Sequence, residues 1–279
     1  MPVWRTVLAE TTRQLGAAPA ARWMCEVAGG ADRIDDVLDE PVTSRMVAHL
    51  DSMLTRHEAG EPLAYVLGRW GFRHVDLAVD RRVLIPRPET EIVAGTAIEL
   101  ARARQRPLVV ADLGTGSGAI GLSLAVELPL TDVTVWMTDI DTDALAVARA
   151  NVAGVGRPGR NVRIAAGSWF HAVPGDVHLD LAVANPPYVA AGSPELEAAV
   201  RDWEPHGALF GGTDGLDAIR VLVRDAPCRL RPGGWLVLEI GADQGAAVSA
   251  LLTDAGYDSV EIRHDLTGRD RVAMARVTL

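Results

Sequence analysis

The chain has 279 residues, 48% hydrophobic and 23% charged, the composition of an ordinary globular protein with room for one catalytic-sized domain and a smaller one. Its formal net charge of −10 weighs against binding that depends on a broad phosphate-neutralising surface. None of its 27 Lys/Arg-type residues is a lysine, so a lysine base or Schiff base is excluded.

From Trp4 to about Leu67 apolar residues recur at helical spacing, as Val47, Leu50, Met53 and Leu54 do, with breaks at Gly29-Gly30 and Pro41. A small helical domain over residues 1–70 is expected. Arg5, Glu10 and Arg13 interrupt the start of the chain as they would not in a signal peptide. No apolar run approaches the roughly 20 residues of a membrane span, so a cytoplasmic protein without membrane contact is expected. Cys25 and Cys228 lie far apart, with no C-x-x-C and no H-E-x-x-H, so neither a disulfide framework nor a metal site is signalled. Pro62 suits a first helical turn and Gly68 its end. Val75, Leu77 and Val79 then alternate with polar or small residues, and Asp80-Arg81-Arg82 turns the chain toward Val83, Leu84 and Ile85. A β-hairpin linking two domains, over 71–87, is expected there.

From Pro88 onward, over 88–279, strands alternate with helical stretches, which predicts an α/β sheet covered on both faces. Strands are expected at 108–112, 133–138, 162–165, 180–184, 234–240, 258–263 and 271–277.

The segment VVADLGTGSGAIGLSLA (109–125) reads as strand, glycine-rich turn and helix. Gly116, Gly118 and Gly121 spell G-x-G-x-x-G, and Asp139 follows at the end of the next strand, which nominally satisfies a dinucleotide fingerprint. A second register places Asp112 at the strand terminus before Gly114, Thr115, Gly116, Ser117 and Gly118. A carboxylate there suits a ligand that carries an ammonium, as S-adenosylmethionine does, better than a pyrophosphate. Asp139 could accept from both ribose hydroxyls, or merely cap a helix. Trp169, in GSWF after the third strand, could stack on adenine or pack in the core.

The fourth strand runs into Asn185-Pro186-Pro187-Tyr188, which cannot continue a sheet. Asn185 falls at the carboxyl end of a strand, where open α/β sheets bind ligands. A planar NH2 group conjugated to a carbonyl or purine is a poor nucleophile and must be held in line with its electrophile. The Asn185 side-chain oxygen and the Pro186 carbonyl can accept its two N–H protons, two prolines stiffen the loop, and Tyr188 offers a flat face. The alternative is a rigid turn in which Asn185 satisfies local backbone groups.

These segments resemble the HemK-type (PrmC) protein glutamine N5-methyltransferases. The resemblance runs nearly end to end: GEPLAYVLG (60–68), LIPRPETE (84–91), DLGTGSG (112–118), NPPY (185–188), EPHGALFGGTDGL (204–216), RPGGWLVLEIG (231–241) and DLTGRDRVAMA (265–275). NPPY alone is shared with adenine methyltransferases acting on DNA; PRPETE and GGTDGL narrow the match.

The resemblance implies a class I methyltransferase fold, a Rossmann-like seven-stranded sheet whose last strand is antiparallel, behind a helical domain that docks the protein substrate. It implies S-adenosylmethionine as methyl donor and the Gly-Gly-Gln glutamine of peptide chain release factors as target. It assigns Gly114 through Gly118 and Asp139 to the cofactor, Trp169 to its adenine, and Asn185, Pro186, Pro187 and Tyr188 to the substrate amide, with Asn185 also beside the cofactor. Ser168 stands where the family often has an acid, and His206 where an arginine is common. Glu89 and Glu91 serve either the site or the dipole of the helix after Pro88, and Asp214 either the site or a helix cap. The competing readings are the same reaction on a ribosomal protein, adenine methylation of nucleic acid, a nicotinamide-dependent oxidoreductase and a non-catalytic binding protein.

Overall fold

A computed structural model describes residues 1–192 and 198–278. The chain divides into two units, Met1–Arg69 and Trp70–Leu279. The first holds helices α1 (Trp4–Leu15), α2 (Ala18–Gly29), α3 (Ser44–Glu58) and α4 (Leu63–Leu67). Thr43 Oγ1 accepts from Met46 N and starts α3, while Gly68, at φ 71°, ends α4. The apolar faces of α1–α3 meet in a core that includes Trp4, Met24, Ile34, Leu50 and Met53. The Arg56 guanidinium donates to both Glu61 oxygens, at 2.8 and 2.7 Å, and to the Tyr65 and Val66 carbonyls. Glu61 of GEPLAYVLG therefore fixes the turn between α3 and α4.

A hairpin follows, in a different register from the one expected. Its strands are β1 (Arg69–Phe72) and β2 (Val75–Ala78), paired across Arg73-His74. The alternation at Val75 and Leu77 is real, but the partner lies upstream, and Val83, Leu84 and Ile85 form no strand. Arg73 adopts φ 49° and is anchored by Glu91 and Glu127, which stabilises the turn. Asp80 instead accepts from the backbone and guanidinium of Arg82, and Ile85 N donates to the Glu204 carboxylate at 3.2 Å, so no strand can pair there.

Beyond α5 (Pro88–Arg102) come β3 (Leu108–Leu113), α6 (Ala119–Glu127), β4 (Val133–Asp139), α7 (Thr142–Gly154), β5 (Val162–Ala166) and β6 (Leu179–Ala184). Then follow α8 (Ala198–Trp203), α9 (Asp217–Asp225), β7 (Leu230–Glu239), α10 (Gly245–Asp254), β8 (Asp258–His264) and β9 (Asp270–Arg276). Seven strands form one sheet in the order β5-β4-β3-β6-β7-β9-β8, with β9 antiparallel to both neighbours. This is the class I methyltransferase sheet, with its antiparallel last strand. Each of the seven strands expected after Pro88 is present within a few residues of its expected ends. Every residue of β6 is buried, as a central parallel strand requires.

The strand order reverses between β3 and β6, which opens a crevice at their carboxyl ends. Asp112 on β3 pairs with Met137 of β4 on one side and Val183 of β6 on the other. Asp139 and Asn185 each lie two residues beyond those partners, so the ladder brings all three to one rim.

Candidate active site

The crevice is a cavity of about 460 Å³, within the range of small-molecule sites. Asp112, Gly114, Thr115, Gly116, Ser117, Asp139, Trp169, Asn185 and Pro187 line it, so most of the residues singled out in the sequence meet in one place. Gly118, Pro186 and Tyr188 do not line it. Gly118 precedes α6, where a Cβ would lie 2.7 Å from Met137, so its role is to let the helix approach β4.

The glycine loop is tied down at several points. Gly114 and Thr115 N–H groups both donate to Thr138 O at 2.8 Å, and Gly116 N donates to Asp139 Oδ2 at 2.9 Å. Gly114 and Gly116 sit at φ 74° and 54°, a region that glycine enters without penalty. Asp139 also accepts from Asp141 N at 3.0 Å, while the cap of α7 is Asp141 itself. Asp139 is thus no helix cap: it joins the end of β4 to the loop after β3. Asn151 on α7, which sequence patterning did not single out, donates to Ser117 O and exchanges hydrogen bonds with the Ala78 backbone. It clamps the loop to β2.

Asp112 is 1% exposed. Its Oδ2 accepts from Thr115 Oγ1 at 2.5 Å and Gly121 N at 2.8 Å, while Oδ1 is buried with no partner, alone among carboxylate oxygens of the described residues. Burial pushes its pKa up to about 6 despite those hydrogen bonds. Burial also raises that of Asp139. A buried, half-satisfied carboxylate lining a cleft is a costly arrangement that a cationic donor would relieve. The residues present therefore fit the ammonium of S-adenosylmethionine.

Trp169 lies against Gly114, where a Cβ would come 2.8 Å from the indole ring, and it holds φ 46°, unusual for a bulky residue. Its ring forms one wall of the cleft. Ser168 lines the cleft without a carboxylate to meet an adenine amine. Ile140, next to Asp139 and 75% exposed, is a cleft residue that hydrophobic patterning could not distinguish from a loop residue.

At the other end, Asn185 Nδ2 donates to Thr90 Oγ1 at 3.3 Å, and Thr90 Oγ1 donates to Glu239 Oε2 at 2.7 Å. Tyr188 OH donates to Glu239 Oε1 at 3.2 Å and accepts from Arg271 Nη1 at 3.3 Å. Burial pushes Glu239 up to about 7, against the Thr90, Arg271 and Tyr188 contacts. The Tyr188 hydroxyl is raised as well, first by burial and then by Glu239. Thr90, Glu239 and Arg271 belong to PRPETE, LEIG and GRDR, segments whose site partners sequence spacing could not reveal. Glu91 of PRPETE serves the hairpin instead, accepting from Arg73 N.

The GGTDGL loop packs directly on NPPY. Gly211 N donates to Val189 O, and a Cβ on Gly211 or Gly215 would collide with the Pro187 or Tyr188 carbonyl oxygen respectively. Gln244 Nε2 donates to Tyr188 O at 3.0 Å. Asp214 accepts from Leu216 N and pairs with Arg220, so it braces the start of α9. His206 Nε2 meets Arg201 O at 2.9 Å, a local contact outside the cleft lining. A second pocket of about 180 Å³, lined by Leu84, Arg87, Tyr188 and Leu209 among others, shares Asn185 with the larger cleft.

Comparison with known proteins decides the family. Residues 90–201 match the methyltransferase small domain and residues 6–68 the PrmC N-terminal domain. A release factor glutamine methyltransferase of Xylella fastidiosa strain Temecula1 is 44% identical over 239 residues, 85% of this chain and 84% of the relative. The chain belongs to the release factor glutamine methyltransferases. A member from Moorella thermoacetica is 40% identical over 286 residues, covering 97% of each chain. Among solved structures, a methyltransferase from Pyrococcus furiosus superposes with a TM-score of 0.54 at 18% identity, over 81% of this chain and 98% of that one, and so shares the fold. The chain is thus a methyltransferase, of a class whose methyl donor is S-adenosylmethionine. Among the described residues no group of side chains could hold a metal ion, and no helix is long and apolar enough to cross a membrane.

Proposed function

We propose that this chain transfers a methyl group from S-adenosylmethionine to the side-chain amide nitrogen of the Gly-Gly-Gln glutamine in peptide chain release factors. One observation carries the reading: Asn185 borders both a cofactor-sized cleft and a smaller pocket with room for a side-chain amide. When bound, S-adenosylmethionine supplies an electrophilic methyl on its sulfonium.

Asp112 would take the cofactor's ammonium, Asp139 its ribose and Trp169 its adenine. Asn185 Oδ1 and the Pro186 carbonyl would accept the N–H protons of the glutamine amide and aim its lone pair at the methyl. Among the described residues lining the smaller pocket the titratable groups are Arg87, paired with Glu204, and Tyr188, whose hydroxyl resists ionisation. Neither is a base at neutral pH, which favours orientation over proton abstraction as the source of rate. The acidic net charge suits a protein loop better than a phosphate backbone.

Among the described residues, those that line the cleft lie between 82 and 208. The match of residues 6–68 to the PrmC N-terminal domain supports substrate docking as the work of the helical unit. Labelled-methyl transfer to purified release factor, to the same factor with its Gly-Gly-Gln glutamine replaced, to ribosomal proteins and to DNA tests the whole reading. Label is expected on the intact factor alone, and label that follows ribosomal protein or nucleic acid replaces the proposed substrate.

A further inference from the structure

Thr90 is 4% exposed and Glu239 1% exposed, and both lie beneath NPPY. A threonine hydroxyl has one proton to give. An ionised Glu239 can only accept, so the Thr90 proton points to Glu239 Oε2 at 2.7 Å, and the Thr90 oxygen is left with lone pairs alone for Asn185. Asn185 must therefore turn its NH2 toward Thr90, at 3.3 Å, and present its Oδ1 elsewhere. The same logic holds on the other carboxylate oxygen, where Tyr188 donates to Glu239 and accepts from Arg271. Glu239 thus sets the direction of every hydrogen bond in the chain that ends at Asn185.

We propose that Thr90 and Glu239 are positioning residues that fix which end of the Asn185 amide faces the glutamine. This deepens the proposed function and rests on its assignment of Asn185. With Oδ1 presented, the substrate NH2 meets an acceptor. A flipped amide would oppose it with another donor, and the nucleophilic lone pair would lose its alignment. An apolar residue at position 90 would leave both orientations open, because the Asn185 amide would no longer have a partner that distinguishes its two ends.

The groups that face the Glu239 carboxylate are Thr90 and Glu89 from α5, Tyr188 from the loop after β6, and Arg271 from β9. A proton taken up by Glu239 would allow it to donate, and the enforced direction would be lost. The same reasoning makes kcat fall with acid in the wild type and makes that fall depend on Thr90.

The test is a set of variants assayed for kcat, for KM toward release factor, and for cofactor affinity by calorimetry. Thr90→Val should lower kcat on the order of 10²-fold, the scale of a misaligned reactive group, and leave KM and cofactor affinity within about threefold. Thr90→Ser, which restores the hydroxyl, should recover most of the loss. The acid limb of the wild-type kcat profile should be absent in Thr90→Val. Should Thr90→Val fail to bind cofactor because it does not fold, Glu239→Gln provides the same test, with the acid limb lost and cofactor binding kept. Turnover in Thr90→Val within about twofold of wild type overturns the positioning role, and so does a Thr90→Ser no better than Thr90→Val. Asn185→Ala separates the two levels. If it loses turnover while Thr90→Val is normal, only the positioning role falls, and if both are normal the assignment of Asn185 falls with it.

Discussion

Asp112 Oδ2 accepts from Gly121 N at 2.8 Å, three residues into α6, while the other oxygen of the same carboxylate is buried without a partner. One half of the side chain holds the helix against the sheet, and the other is the oxygen proposed to take the cofactor's ammonium. Its pKa, raised to about 6 by burial, gives cofactor affinity a pH dependence. An ammonium binds the ionised form, so a proton competes with it, and affinity should weaken as pH falls through about 6. Asp112→Asn should weaken binding roughly 10- to 150-fold, the worth of a hydrogen bond to a charged group, and flatten that dependence. Calorimetry from pH 5 to pH 8 reads both, and equal affinity for the two proteins at pH 7.5 would show that the ammonium goes elsewhere.

Asp139 joins two functions that Asp139→Ala would remove together. The variant frees Gly116 N and Asp141 N as well as the proposed ribose contact, so cofactor affinity should fall on the order of 10- to 150-fold and the cofactor-free protein should melt earlier. Paired calorimetric titration and thermal melts decide the matter. An unchanged cofactor affinity in the folded variant would sink the ribose assignment.

Glu239 should cost the protein stability. Its folded pKa, about 7, lies above the ordinary 4.5, so between those values the folded state holds a proton that the unfolded chain releases. Stability therefore declines as pH rises from about 4.5 to about 7 and stays reduced above that. The advantage of Glu239→Gln over wild type should accordingly grow across that window, by at most about 3.5 kcal/mol on the scale of 1.4 kcal/mol per pKa unit. Urea midpoints measured at pH 5 and pH 8 check the sign, and a gap that narrows toward pH 8 contradicts it.

Gly215→Ala should damage chemistry far more than cofactor binding. The new methyl would collide with the Tyr188 carbonyl oxygen and push NPPY out of register, whereas the glycine loop after β3 lies elsewhere in the sheet. Gly256, also in the left-handed region at φ 81°, has nothing within 4 Å of an added Cβ, so Gly256→Ala isolates the backbone penalty of about 1–2 kcal/mol. A Gly215→Ala enzyme no more impaired than Gly256→Ala would mean that the close contact has no bearing on the site.

Hydrophobic periodicity was enough to place all seven strands of the large sheet, because β3, β4 and β6 are nearly continuous apolar runs bounded by turn residues. It also placed the strand at Val75–Ala78, but not its partner. Register in a short hairpin is decided by turn conformation and anchoring, here Arg73 held by Glu91 and Glu127, and these are tertiary facts. The glycine loop, Asp112, Asp139 and NPPY were legible because each ends a strand at a sharp change of residue type. Thr90, Asn151, Glu239 and Arg271 were not. Thr90, Asn151 and Arg271 sit inside regular helices and strands, Glu239 ends β7 without a glycine-rich or proline turn directly after it, and only their neighbours in space distinguish them from ordinary polar residues.

Asp112, Asp139 and Asn185 ride on three adjacent strands, β3, β4 and β6, whose separation is set by backbone hydrogen bonds of the ladder. The distances between the three side chains therefore do not depend on which apolar residues fill the layers above and below the sheet. Divergent relatives can exchange Val, Leu and Ala beneath the rim and keep the same metric at its edge. A single-residue insertion within β3 is another matter, since it would turn Asp112 to the opposite face of the sheet while Asp139 and Asn185 stayed in place. The molecule can thus accept wide drift in its core and almost none in the phase of three strands, a lattice that works as a ruler.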